Sequence, residues 1–166
     1  MRLRMAQAAP MNSLMILGAA LGCGLIAGVF WAFSNFVMPA LAQLPKAQGI
    51  VAMQSINRVV LNRRFLGVLF GTAVACVAAV IGALLVSSPL RAWLCLAGCL
   101  SYLVGTILVT GICHVPRNDA LARSDPDSAQ AAQFWATYVA EWSTWNHVRS
   151  AASLSAAILF TLALSM

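Results

Sequence analysis

Acidic side chains are nearly absent from this chain: Asp119, Asp125, Asp127 and Glu141 are the only four in 166 residues, all within one connection. Histidine is rarer still, with His114 and His147 alone. No HxxxH or CxxC spacing exists to seat a metal, so no metal site is expected. A proton-coupled carrier keeps an ionisable group in the middle of a span, and no such group stands there. Charged residues make up 8% of the chain against 61% hydrophobic, where a soluble domain carries about 25% charged. That leaves too little polar surface to cover a water-soluble fold. The net charge of +6 is scattered between apolar runs, so it reads as topology signals and headgroup contacts, and no nucleic-acid partner is expected.

Four stretches have spanning length: about 14–38, 65–86, 92–113 and 148–166, the last charged only at Arg149. A helix needs about 20 apolar residues to cross the hydrocarbon core. In lipid its backbone polar groups must be satisfied within the helix. The expectation is therefore all-α: a four-transmembrane-helix bundle, one membrane domain over 1–166, with polar connections 39–64 and 114–147. Arg2 and Arg4 precede the first run as in a signal peptide, but no polar break follows a small-x-small site, so it is read as a transmembrane helix. Gly18, Gly22, Gly24 and Gly28 within it suit close helix packing. All five cysteines fall in spans, and Cys95 and Cys99, without nearby His or acid, read as packing residues.

Pro39 predicts the end or a bend of the first helix. From Ile50 the pattern is amphipathic, with Asn57 among apolar neighbours and no strong breaker before Val86, so the second helix is expected to begin outside the membrane. Ser87-Ser88-Pro89 makes a tight turn between helices two and three. Asp125 and Pro126 read as the start of a helix running about 41 residues, some 60 Å at 1.5 Å per residue. Helices 2 and 4 are thus expected to extend beyond the membrane. The aromatic stripe Phe134, Tyr138, Trp142 and Trp145 then needs either headgroups or the projecting part of helix two beside it.

The halves of the chain look alike. Val37-Met38-Pro39 and His114-Val115-Pro116 each close a span, a polar connection follows, and Asn62-Arg63-Arg64 and Asn146 to Arg149 mark the next entrance. Two helix-hairpin pseudo-repeats of this kind place both connections on one membrane side. Asn57, Asn62, Asn118, Asn146 and several arginines then converge, as a site requires.

These segments carry a resemblance. Phe36-Val-Met-Pro39, Met53-Gln54-Ser-Ile-Asn57-Arg58, Asn62-Arg63-Arg64-Phe65, Val115-Pro116-Arg-Asn118 and Trp142-Ser-Thr-Trp145-Asn146-His147-Val-Arg149 resemble the anthrone oxygenase-like membrane family, over roughly residues 14 to 164. The resemblance implies a four-helix membrane protein and oxidation of a hydroxylated aromatic or polyketide-like substrate by O2, without a cofactor. The chemistry asks for a base, oxyanion donors and an apolar pocket. The catalytic candidates are His147, His114, Asn146 and Arg149; the substrate-binding candidates are Asn57, Arg58, Asn62, Asn118, Trp142, Trp145 and Tyr138. Each has a plainer role too: tryptophans as interface anchors, arginines reaching lipid phosphates, amides bridging helices. The alternative function is a structural or interaction subunit of a membrane assembly, with a small transporter further behind.

The expected partners are membrane lipids, an apolar aromatic small molecule and further copies of the chain. Seven of the ten cations lie in the connections or at Arg149. The positive-inside rule then puts the connections in the cytoplasm and both termini outside, in a bacterial cytoplasmic membrane.

Overall fold

In the computed structural model, neither Pro39 nor Pro116 ends its helix. It describes the backbone of residues 2–86 and 88–166, and the side chains of residues 11–85 and 88–166. The side chains of Arg2 and Arg4, and Ser87 of the second turn, lie outside the described residues. Helix α1 (Arg2–Ala32) passes through a π-helical turn, Phe33–Val37, into α2 (Met38–Gln43). The third span does the same: α5 (Pro89–Tyr102) continues through π segments Leu103–Leu108 and Thr110–His114 into α6 (Val115–Ala122). Proline lacks a donor and its ring crowds the preceding turn. A wider π turn, closing from residue i to i+5, lies directly ahead of each proline and lets the helix continue. The expected break at Pro39 is thus a local widening, repeated at the matching place in the second half.

The continuous helix expected from Ile50 through the second span is instead two: α3 (Lys46–Val59) and α4 (Arg63–Val86). Asn62 makes the break. Its Oδ1 accepts from the backbone N–H of Arg64 and Phe65, both at 3.0 Å, capping α4, while its Nδ2 donates to the Val59 carbonyl at 2.8 Å. One amide satisfies the orphan groups of two helix ends. The last helix, α7 (Ala129–Leu164), runs 36 residues, about 54 Å at 1.5 Å per residue. Its cap is Ser128, whose Oγ accepts from Ala131 at 3.1 Å; the expected cap, Asp125, holds the preceding turn through Asp127.

Four helices, Met11–Gln43, Arg63–Leu85, Pro89–Ala122 and Ala129–Leu164, are long and apolar enough to cross a membrane. This is an integral multi-pass membrane protein, an all-helical four-helix bundle. Its interior confirms the solvent. Ala19, Ala79, Ala83, Ala156, Ala163 and four cysteines fill the main core, while Leu21, Val74, Leu84, Leu85 and Trp93 stand outside. Helices in lipid gain little by burying leucine and much by close contact of small residues. Of the first-helix glycines only Gly22 meets a neighbour closely, Thr72 of α4; Gly24 barely reaches Ala157, and Gly18 and Gly28 face open space. Cys95 and Cys99 are buried in this core, and all five cysteines are free.

A second core lies at the end where the connections meet. Met38, Leu41, Ile50, Met53 and Leu121 pack on Trp135, Tyr138 and Trp142 of α7. Of the aromatic stripe, Phe134, Tyr138 and Trp142 therefore lie against α3 and α6, and Trp145 is half-buried outside this core. Gln54 bridges the two connections by donating to the Leu121 and Ser124 carbonyls at 2.8 and 3.0 Å. At the opposite end Arg91 donates to the Ala163 carbonyl in the last turn of α7 at 2.8 Å, a cation on the negative end of a helix.

Candidate functional site

Trp142, Asn146, Arg149 and Ser153 fall at i, i+4, i+7 and i+11, so α7 presents them on one face. All four are buried. Asn146, 0% exposed, uses its whole amide. Its Nδ2 donates to the Phe30 carbonyl and to Ser34 Oγ, each at 2.6 Å, and its Oδ1 accepts from Arg149 Nη2 at 2.6 Å. Arg149, 6% exposed, donates from Nη1 to Thr110 Oγ1 at 3.2 Å, within the π segment ahead of Pro116. Its guanidinium carbon lies 4.1 Å from the Phe30 ring centre and 5.3 Å from that of Trp142. Aromatic faces attract a cation, but they do not neutralise it. No carboxylate touches Arg149; the ion pair among the described residues joins Arg117 to Glu141 at 2.8 Å, near the surface. A buried charge normally requires a partner of opposite sign, and here Nε has none.

His114, 1% exposed, meets the Trp142 ring edge-on with centres 4.9 Å apart. Neither of its ring nitrogens has a hydrogen bond of ordinary geometry, with only a looser contact to the Trp145 backbone. The next layer is joined by hydrogen bonds. Asn57 Nδ2 donates to Tyr138 Oη at 3.3 Å, and Tyr138 Oη donates to Asn118 Oδ1 at 2.9 Å. The same oxygen accepts from Trp142 Nε1 at 3.1 Å. Trp135 stacks on Tyr138 with centres 5.6 Å apart. These bonds tie α3, α6 and α7 into one rigid wall.

Between this wall and the ends of α1 and α4 lies a partly enclosed cavity of about 120 Å³. Apolar side chains dominate its lining, among them Phe30, Phe33, Met53, Phe65 and Leu69, and Arg149, His114, Thr110, Asn57, Asn118 and Trp142 are the polar exceptions. Such a cavity with a few convergent polar groups has the form of a small-molecule site. Chemically it offers a proton acceptor and a cation on one largely apolar cavity.

Six sequence candidates therefore line the cavity or its wall: His114, Arg149, Asn57, Asn118, Trp142 and, through its hydrogen bonds, Tyr138. Asn146 stands behind Arg149 and orients it. The others lie elsewhere. His147 is exposed, because at 100° per residue it turns away from the Asn146 and Arg149 face. Arg58 is exposed, Trp145 is half-buried outside the cavity lining, and Asn62 is a helix cap. Trp142, which as an interface anchor would face headgroups, is buried against His114 and Phe33. Thr110, Ser34 and the Phe30 carbonyl were not foreseen. Thr and Ser inside apolar runs look like ordinary span residues, and a backbone carbonyl carries no sequence signal. Among the described residues no three His, Cys, Asp or Glu side chains gather as metal ligands.

A family model described as anthrone oxygenase matches residues 59–159. The matched stretch contains Thr110, His114, Asn118, Trp142, Asn146 and Arg149, while the α1 and α3 walls of the cavity fall before it. No curated protein and no solved structure matches the chain.

Proposed function

Since the chain belongs to the anthrone oxygenase family, we propose that its cavity is where a hydroxylated aromatic substrate is oxidised by O2. His114 accepts the proton that turns the substrate into its phenolate or enolate, and Arg149 faces the resulting oxygen anion. The electron-rich carbon forms a bond to one oxygen of O2. Loss of the remaining hydrogen on that carbon breaks the O–O bond, leaving a carbonyl, and the second oxygen departs as water. The carbon supplies all the electrons, so the atoms balance without another reductant.

The single observation that carries this reading is the pairing of Arg149, buried without a carboxylate, with His114, whose ring nitrogens make no hydrogen bond of ordinary geometry, on one apolar cavity. An uncompensated buried cation is costly to keep. Aimed where negative charge develops, it stabilises the transition state without reorganisation. Asn146 and Thr110 hold the guanidinium, and the Asn57–Tyr138–Asn118–Trp142 chain holds the ring that His114 meets. The reaction site would stand at the cytoplasmic face of a bacterial cytoplasmic membrane, following the excess of cations in the connections.

The test is oxygen consumption by purified protein with hydroxylated aromatic substrates. His114→Ala is expected to lose about 10²–10⁴ in rate, the range for a general base. Arg149→Met is expected to lose about 10²–10³, as for one oxyanion donor, and His147→Ala to behave as wild type. Equal rates in all three variants would remove the catalytic reading.

A further inference from the structure

The cavity's size limits its occupant. At about 120 Å³ it is slightly smaller than the engineered cavity of about 150 Å³ that takes one benzene. One ring fills that space, and three fused rings would have to extend beyond its open side. Of its polar side chains Arg149 and His114 are buried, and neither Arg149 Nε nor the His114 nitrogens have a hydrogen bond of ordinary geometry. The rim is apolar: Leu61 and Val115, 68% and 46% exposed, are its outermost lining residues.

Beside the cavity, across the outer face where α3 meets α4, runs a groove of about 590 Å³. It shares Ile56, Val60 and Phe65 with the cavity, and Ala52 and Val59 extend it along α3. Asn62, which also lines it, already spends its amide on the two helix ends. Two groups suited to a hydroxyl thus stand beside space for one ring, and an apolar groove borders that space.

We infer that the substrate is a single-ring phenol, free at the position para to its hydroxyl and carrying an apolar tail, with the ring in the cavity and the tail in the groove. This rests on the oxidation reading above. The hydroxyl proton passes to His114, and the para carbon of the phenolate bonds to O2. The peroxide so formed takes a proton, the para C–H proton leaves, and the O–O bond breaks. The products are the para-quinone and water, with no co-reactant.

The experiment uses the full chain in lipid nanodiscs, with ligand amounts counted per lipid so that membrane partitioning cancels. Tryptophan quenching, to which Trp142 in the cavity wall contributes, reports binding, and absorbance reports quinone formation. The probes are 2-decylphenol and 1,8-dihydroxyanthrone, each against protein-free nanodiscs. Saturable binding and conversion of 2-decylphenol, with no binding of the anthrone, is the expected result. Val60→Trp, which fills the junction of cavity and groove, should weaken 2-decylphenol binding at least tenfold. Turnover of the anthrone with no binding of 2-decylphenol would overturn the one-ring assignment while leaving the oxidation reading intact. Unchanged 2-decylphenol binding in Val60→Trp would overturn the tail assignment, and the wild-type comparison decides the ring number even if that variant does not fold. Binding without conversion would keep the ligand class and remove the catalytic reading, and binding of neither probe would remove both.

Discussion

Asn146 has the least freedom of any residue at the site. Two donated bonds and one accepted bond use its amide completely, inside a bundle where no water replaces them. Asn146→Ala removes the acceptor for a buried guanidinium nitrogen. Interhelical polar contacts in membranes average about 0.6 kcal/mol, but a buried donor left unsatisfied costs about 1–3 kcal/mol, more when charged. A loss in the upper range is expected, measured as unfolding in detergent. A loss near the membrane average would mean that Arg149 finds another acceptor. Asn62, an equally prominent amide in the sequence, has a different role. As a cap its replacement by Ala should lower stability by about 1 kcal/mol, read as a shift of the unfolding curve. Composition does not distinguish the two asparagines; their neighbours in space do.

At the scale of elements, the π segments place the site. They precede Pro39 and Pro116, the matching prolines of the two halves, and they put Ser34 and Thr110 where α7 reaches them. The third span meets α7 without room to spare at Gly105, where an added Cβ would run into the Cβ of Ala152. Neither atom lies on a flexible side chain, so the helices would have to separate. Gly105→Ala is expected to cost about 1–3 kcal/mol, the range for overpacking, and to stretch the Thr106–Ser153 hydroxyl bond of 2.7 Å one residue further on. A thermal unfolding midpoint matching that of wild type would show that the helices can part at no cost. The aromatic half of α7 follows the same logic: its stripe at helical spacing is visible in sequence, but its cover, α3, was expected to be part of a longer helix.

For the whole molecule, the connections meet at one end of the bundle, so their cations share that end. Arg149 is buried and belongs to the site, leaving six cations there against Arg2, Arg4 and Arg91. The balance still favours cytoplasmic connections. A reporter active only in the cytoplasm, fused to the C-terminus, should give no signal; a strong signal would reverse the orientation. By itself the sequence determined the solvent, the four spans and the meeting of the two connections. Those follow from local quantities: apolar run length, the scarcity of charge and the repeat of Pro, Asn and Arg. It also held part of the face of α7, since Trp142, Asn146 and Arg149 keep helical spacing. What only the tertiary structure decided was which histidine enters the cavity, which asparagine is a cap, and that Arg149 has no acid beside it. These depend on the rotation of each helix about its axis and on close contacts between residues as distant in sequence as Phe30 and Asn146. Packing of the whole bundle sets that rotation, and no single segment encodes it.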